Sequence, residues 1–250
     1  MSHDFYKNLA PVYHLVFPVD GKDELLVKCF EGAQRLLDVG CSDGRVAKAV
    51  AQKIEGVTID AIDLSRDLVQ IAKGVVENST VFDSIRVKEM DMMDINQMYQ
   101  PDTFDGVYCI GNTLVHLNDE QEIKVCLSGF YHVMKPNGTL VVQILNYDVV
   151  LDEQMQMLPT IENDSIQFER RYTHGGSHID FISHLTLKNK DDLKLSASTK
   201  LFPIRTESLV TLLKQQGFTD VTCYSGYKFD VFDPQKLTFI VTAKKMEKIK

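Results

Sequence analysis

Leu36-Leu37-Asp38-Val39-Gly40-Cys41-Ser42-Asp43-Gly44 constrains the fold of this chain more than any other stretch. An apolar strand carries an acid, a turn follows with glycines four apart, and helix character opens at Arg45–Val46. Glycine lets a backbone bend sharply and admits a ligand where a Cβ would block it. Such a turn, between the carboxyl end of a strand and a helix N-terminus, is where open α/β sheets hold cofactors. The acid two residues before Gly40 narrows the ligand further. A carboxylate suits a group of positive charge, whereas the pyrophosphate of a dinucleotide wants bare amides.

The flanking pattern places this turn in a parallel sheet. Arg35–Val39 reads as the first buried strand, and Val46, Ala47, Val50, Ala51 and Ile54 then recur at helical spacing. Val57–Ile62 is the second strand and ends at Asp63. Ser65 is placed to cap a helix with Leu68, Ile71, Ala72, Val75 and Val76 on one face. Ile85–Val87, Phe104–Ile110 and Thr139–Leu145 read as strands three to five. A helix marked by Ile123, Leu127, Phe130 and Met134 runs to the Pro136-Asn137-Gly138 turn. Strands alternating with helices mean βαβ units.

The two ends depart from that rhythm. Asp4–Phe17 reads as an aromatic helical arm broken by Pro11, followed by an amphipathic helix around Lys22–Phe30. After Leu145 come three strand-like runs with turn signals between them, Ile166–Tyr172, His178–Leu187 and Leu193–Leu201. They read as an antiparallel meander inserted over the sheet. On the first of them Phe168, Arg170 and Tyr172 share one face and Glu169, Arg171 and Thr173 the other, with nothing to say which looks inward. Helix character returns at Thr206 with Gly217 as its C-cap, and Phe218–Tyr224 with Leu237–Ala243 form a last strand pair.

Composition removes several function classes. At 250 residues the chain can bury a full core, and a net charge of -8 argues against a nucleic-acid partner, which needs a basic field. The five cysteines are scattered and lack metal-ligand spacing, so they read as reduced residues of a cytoplasmic protein and no metal is expected. No signal peptide opens the chain and no apolar run reaches membrane-spanning length, so no membrane partner is expected.

The Leu36–Gly44 pattern resembles motif I of the class I S-adenosylmethionine-dependent methyltransferases, whose ligand carries a sulfonium and an ammonium. Ser42 departs from it, standing where the family has its middle glycine. The resemblance covers the whole order of elements. It implies an α/β fold: a Rossmann-like, seven-stranded, mostly parallel sheet with a C-terminal antiparallel strand pair and an inserted antiparallel lid. Residues 1–250 then form one methyltransferase domain, with the arm in 1–32, the cofactor-binding core in 33–148, the lid in 149–204 and the closing helix and strand pair in 205–250. S-adenosyl-L-methionine is the implied cofactor. Asp38 would orient the loop and the methionine ammonium, and Gly40, Cys41, Ser42 and Gly44 would line that moiety. Asp63, nineteen residues beyond Gly44, would take both ribose hydroxyls with Leu64 beside it. Asp60, its rival in mid-strand, would be buried or face the helices. Asp91 and Met92 would hold the adenine, Ile110 the pocket wall, and Tyr13 with Tyr6 would close over the cleft from the arm.

The acceptor side is less specific. Methyltransferases of base amines or glutamine amides place an Asn-or-Asp-Pro-Pro-Tyr/Phe run after strand four, and this chain lacks it. Gly111-Asn112-Thr113 through His116-Leu117, and Asn146-Tyr147-Asp148 after strand five, resemble glycine N-methyltransferases and their small-molecule relatives. The glycine-methylating enzymes carry an arginine just before that Asn-Tyr-Asp, and Leu145 stands there instead. The bidentate carboxylate grip is lost at that position, so glycine is a poor expectation. Asn112, Tyr147 and Arg171 are the candidate substrate contacts, and His116, Tyr6 and Tyr147 the candidate catalytic groups. None is obligatory, because a sulfonium is already a strong electrophile and positioning supplies much of the rate. The expected partner is a small-molecule amine or hydroxyl. Two rivals stand beside this reading: an NAD-dependent oxidoreductase on a similar sheet, and a non-catalytic module that only binds S-adenosylmethionine.

Overall fold

The computed structural model describes residues 9–188 and 193–246. Its strands are β1 Arg35–Val39, β2 Thr58–Asp63, β3 Ile85–Glu89, β4 Phe104–Cys109, β5 Met134–Leu145, β6 Met157–Glu162, β7 Ile166–Gly175, β8 His178–Leu187, β9 Leu193–Leu201, β10 Phe218–Tyr224 and β11 Thr238–Lys245. Seven of them form one sheet in the order β10-β11-β5-β4-β1-β2-β3. β1 to β5 pair in parallel, and β11 runs antiparallel between β5 and β10. The chain runs outward from β1 through β2 to β3, then returns to place β4 on the other side of β1. The carboxyl ends of β1 and β4 thus flank the point where strand order reverses, where open sheets hold their ligands.

Both faces of the sheet are covered. Leu37 and Val39 of β1 point into one apolar layer, with Val107, Leu140, Val142, Leu127 and Phe130. Leu36 points into the other, with Val50, Ile59, Tyr108 and Val141. Each layer buries one stripe of the flanking helices, among them Arg45–Lys53, Arg66–Glu77 and Glu120–Val133. Ser65 caps the second of these, its Oγ accepting from the Leu68 amide at 3.4 Å.

β6 to β9 form a separate antiparallel sheet in that order. The lid therefore has four strands rather than the expected three. Pro159 and Thr160 sit in a break of register between Leu158 and Ile161, which disguised β6 as loop. Proline is confined to edge strands and bulges because it cannot donate to the ladder, and β6 is the edge. The Pro136-Asn137-Gly138 turn is a second difference. It lies inside β5, as an excursion between the pairs Phe104–Met134 and Gly106–Thr139, with Asn137 at φ +65°. The arm begins with a 3-10 turn at Ala10–Val12 and a short helix at Tyr13–Val16, followed by the helix Lys22–Cys29. Phe5 and Tyr6 lie outside the described residues. No helix among the described residues is long and apolar enough to cross a membrane.

Candidate functional site

Three close approaches build the turn after β1. Gly40 has φ +75°, and a Cβ there would stand 2.4 Å from Thr113 Cγ2. Only glycine therefore lets this turn meet the loop that follows β4. Ser42 takes a left-handed conformation too, at φ +52°, without being glycine. Its amide donates to Asp63 Oδ2 at 2.9 Å, and its hydroxyl donates to Tyr13 Oη at 3.0 Å. Gly44 closes the turn at φ +73°, against Ala72, and starts the helix Arg45–Lys53.

Two carboxylates stand side by side at the ends of β1 and β2. Asp63 accepts from the Ser65 amide through Oδ1 at 2.8 Å and from Ser42 through Oδ2. Each oxygen keeps a further lone pair for a ligand hydroxyl. Burial holds the Asp63 pKa above the usual carboxylate range, against the pull of these backbone donors. Asp38 is 2% exposed and its Oδ2 has no hydrogen-bond partner. Burial drives its pKa well above the usual carboxylate range and the charge of Asp63 adds to this, while the Tyr108 hydroxyl opposes it. An ionised carboxylate is buried only where a cation compensates it, so Asp38 fits a ligand that brings its own ammonium.

The crevice has two compartments. The larger is lined by Asp63, Leu64, Leu68, Met90 and Met92, and by Thr113, His116 and Thr199. The smaller is lined by Asp38, Cys41, Lys22, Arg45 and Ile110 among others. Tyr13, Gly40, Ser42 and Gly111 line both, so the Tyr13–Ser42 hydrogen bond stands on the seam. The larger compartment is apolar around the methionines and acidic at Asp63. The smaller offers an acid at Asp38 and cations at Lys22 and Arg45, the complement of an amino-acid zwitterion.

Of the expected cofactor contacts, Tyr13, Asp38, Gly40, Cys41, Ser42, Asp63, Leu64, Met92 and Ile110 line this crevice. Gly44 packs against Ala72 instead. Asp91 is placed differently from expectation: its Oδ1 accepts from the Met93 amide at 2.9 Å, capping the turn Met92–Asp94. Met90 lines the crevice in that region instead.

The acceptor-side expectations fare unevenly. Asn112, at φ +67°, donates to the Tyr147 hydroxyl at 3.0 Å and accepts from the Leu145 amide at 3.0 Å. Its side chain ties the loop after β4 to the end of β5. Tyr147 is fully buried in the core. Arg171 is a correction: the outward face of β7 carries it, its side chain 53% exposed and paired with Glu169 at 3.3 Å. Phe168 and Tyr172 are the buried ones, so the inward face is that of Phe168, Arg170 and Tyr172. His116 lines the crevice, and burial lowers its pKa to about 4, which keeps the imidazole neutral beside any sulfonium. It is correspondingly a weak base.

Lys22, Arg45, Met90 and Thr199 escaped the sequence reading. Lys22 donates to the Pro18 carbonyl at 2.7 Å and Arg45 to Asp43 at 2.9 Å. Neither belongs to a recognisable spacing. Thr199 comes from β9, and only the fold brings it to the crevice. The one available signal was Arg45, as the first residue after the glycine turn.

A methyltransferase-domain family matches residues 36–138, from β1 into β5. A methyltransferase of Streptomyces caelestis shares the fold with a TM-score of 0.82 at 17% identity, over 98% of this chain and 100% of its own. A sugar N-methyltransferase from Streptoalloteichus sp. ATCC 53650 does so at 0.69 and 18% identity, over 97% of this chain and 93% of its own. The strand order, the crevice at its reversal and these matches support a class I S-adenosylmethionine-dependent methyltransferase. Within that class it is similar to a glycine/sarcosine N-methyltransferase of Aphanothece halophytica, 28% identical over 217 residues, 86% of this chain and 77% of the relative. It is also similar to a ubiquinone biosynthesis O-methyltransferase of Xanthomonas campestris, 35% identical over 113 residues, 45% of this chain and 43% of the relative.

Proposed function

We propose that this methyltransferase acts on a small-molecule amine or hydroxyl, with the cofactor lying across both compartments of the crevice. S-adenosylmethionine supplies an electrophilic methyl group. The protein's part is then to hold that methyl and the acceptor in line, and to keep water out. Asp38 would take the methionine ammonium and Lys22 its carboxylate. Asp63 would accept from the ribose hydroxyls, and Met90, Met92 and Leu64 would bracket the adenine. Gly111 and Thr113 leave the methyl end open toward the lid. The observation that carries the reading is the buried, unpartnered Asp38 oxygen beside Asp63 at the ends of β1 and β2. The N-methyltransferase names among the relatives support an amine, and the O-methyltransferase of Xanthomonas supports a hydroxyl.

Calorimetry is the direct test. S-adenosylmethionine and its demethylated product should bind, and NAD should not. Asp63→Ala removes two acceptor contacts of about 1.5–3 kcal/mol each, so affinity should fall on the order of a hundredfold or more. Tight NAD binding, or an unchanged affinity in the variant, would end this reading. Incorporation of a labelled methyl group across a panel of small amines and phenols would separate an enzyme from a module that only binds the cofactor.

A further inference from the structure

Arg170 is the cation of the lid's inward face. It stands on the inward face of β7, half-buried, with Nη2 donating to the Pro159 carbonyl at 2.6 Å. Its Nε is buried with no hydrogen-bond partner, and no carboxylate among the described residues pairs with it. Glu169 and Arg171 satisfy one another on the opposite face. Burial lowers the pKa of Arg170, but a guanidinium stays protonated in proteins. Its guanidinium carbon lies 5.7 Å from the Phe168 ring centroid, so the ring face meets part of the charge and no anion among the described residues meets the rest.

Its neighbours on the strand fix where it stands. Two residues before it, Phe168 packs edge-on against Phe17 with ring centroids 5.7 Å apart, and Phe17 lines the smaller compartment. Two residues after it, the Tyr172 hydroxyl faces that of Tyr147. Tyr147 in turn holds Asn112, beside the Gly111 that lines both compartments. The inward face of β7 therefore bridges from one compartment to the loop after β4, and Arg170 is at the middle of the span. Across the sheet Arg170 pairs with Ser183 and Ser183 with Ala197, both small side chains. The next row, Tyr172–Phe181–Thr199, reaches the crevice at Thr199. On the inward face of β7, β8 and β9, Arg170 is the only described side chain of permanent charge, and at the end of β5 Leu145 offers none.

We propose that Arg170 is the acceptor-recognition residue, and that the acceptor carries an anionic oxygen group, carboxylate or phosphate, held against the inner face of the lid. This rests on the methyltransferase reading above and adds the substrate class. The anion is gripped from the roof of the pocket, so its methyl-accepting atom hangs down toward Gly111. A planar fork with a free Nε–H suits two anionic oxygens at once.

The test measures acceptor binding to protein preloaded with S-adenosylhomocysteine. Amino acids of increasing length are compared with their amides, and aminoalkyl phosphates with the matching aminoalkanols. At least one acid or phosphate should bind and its neutral counterpart should bind at least tenfold more weakly. Arg170→Gln should weaken the anionic member at least thirtyfold and Arg170→Lys less. Both variants should keep the wild-type affinity for S-adenosylhomocysteine, which also shows that they fold. Lys200→Gln, removing a positive charge from the outer face of the same sheet, should change neither affinity. The carboxylate and phosphate arms tell the two anions apart. Equal binding of neutral and anionic members, no binding by any anionic member, or an unchanged Arg170→Gln would overturn the assignment. Failure of S-adenosylhomocysteine itself to bind would instead overturn the methyltransferase reading.

Discussion

Asp38 shows how one residue can serve ligand binding at the expense of the fold. Its buried carboxyl has a pKa well above the usual range, chiefly through burial. The unfolded chain releases that proton near pH 4, whereas the folded protein keeps it until the higher folded value. Across that window the folded state binds more protons, so Asp38 makes stability fall as pH rises. Asp38→Asn should remove this slope and raise the melting temperature at neutral pH, while cofactor affinity falls. Melting curves between pH 5 and 8 check the first part and calorimetry the second, and a lower melting temperature in the variant would contradict the argument. Ser42 makes a second case. A non-glycine residue in the left-handed region costs roughly 1–2 kcal/mol, and its hydroxyl is used on Tyr13. Ser42→Gly should therefore leave stability within about 1 kcal/mol of wild type. It should also speed cofactor dissociation, as should Tyr13→Phe. Since the two share one bond, the double variant should dissociate no faster than the worse single one, by stopped-flow measurement.

At the scale of elements, the parallel strands were legible because burial on both faces makes them short apolar runs, as at Arg35–Val39 and Phe104–Cys109. β6 was not, because Pro159 and its break of register mimic a loop. The glycine turn and Asp63 were legible because their spacing follows from strand and turn geometry. Lys22 and Thr199 were not, since only the folded chain brings an arm helix and a lid strand to one crevice. Asn146-Tyr147-Asp148 was legible as a motif, but its work is mechanical. Asn146 is fully buried; its amide donates to the carbonyls of Pro234 and Lys236 at 2.9 and 3.0 Å, and its Oδ1 accepts from the Asp148 amide at 3.1 Å. Asp148 receives Arg205 and the Thr206 amide. The motif therefore pins the end of β5 to both the segment before β11 and the helix Thr206–Gln215. Asn146→Ala leaves buried backbone groups unsatisfied at about 1–3 kcal/mol each, so a loss of roughly 3 kcal/mol is expected in urea unfolding. The folded variant should bind S-adenosylhomocysteine within about threefold of wild type. A selective loss of binding would return the motif to the site.

At the scale of the molecule, the arm belongs to the lid. Leu9, Val12, Tyr13, Val16 and Phe17 form an apolar cluster with Ile166, Phe168, Leu185 and Leu187, apart from the two layers on the main sheet. Removing residues 1–12 should cut turnover more than tenfold through loosened positioning, while the melting temperature falls by only about 4 °C. Parallel loss of both would mean that the cluster is packing alone. β11 carries a different consequence. It is last of the described strands in chain order, yet it lies inside the sheet, paired with β5 on one side and β10 on the other. While the ribosome is still making the polypeptide, β5 therefore presents a bare apolar edge until residues 238–245 emerge. β10, already synthesised, has no neighbour to join. The nascent cofactor half must wait with an open, aggregation-prone margin, and the arrival of Lys245, whose buried ammonium reaches Asp102 at 2.7 Å and the Met134 carbonyl at 2.6 Å, seals it.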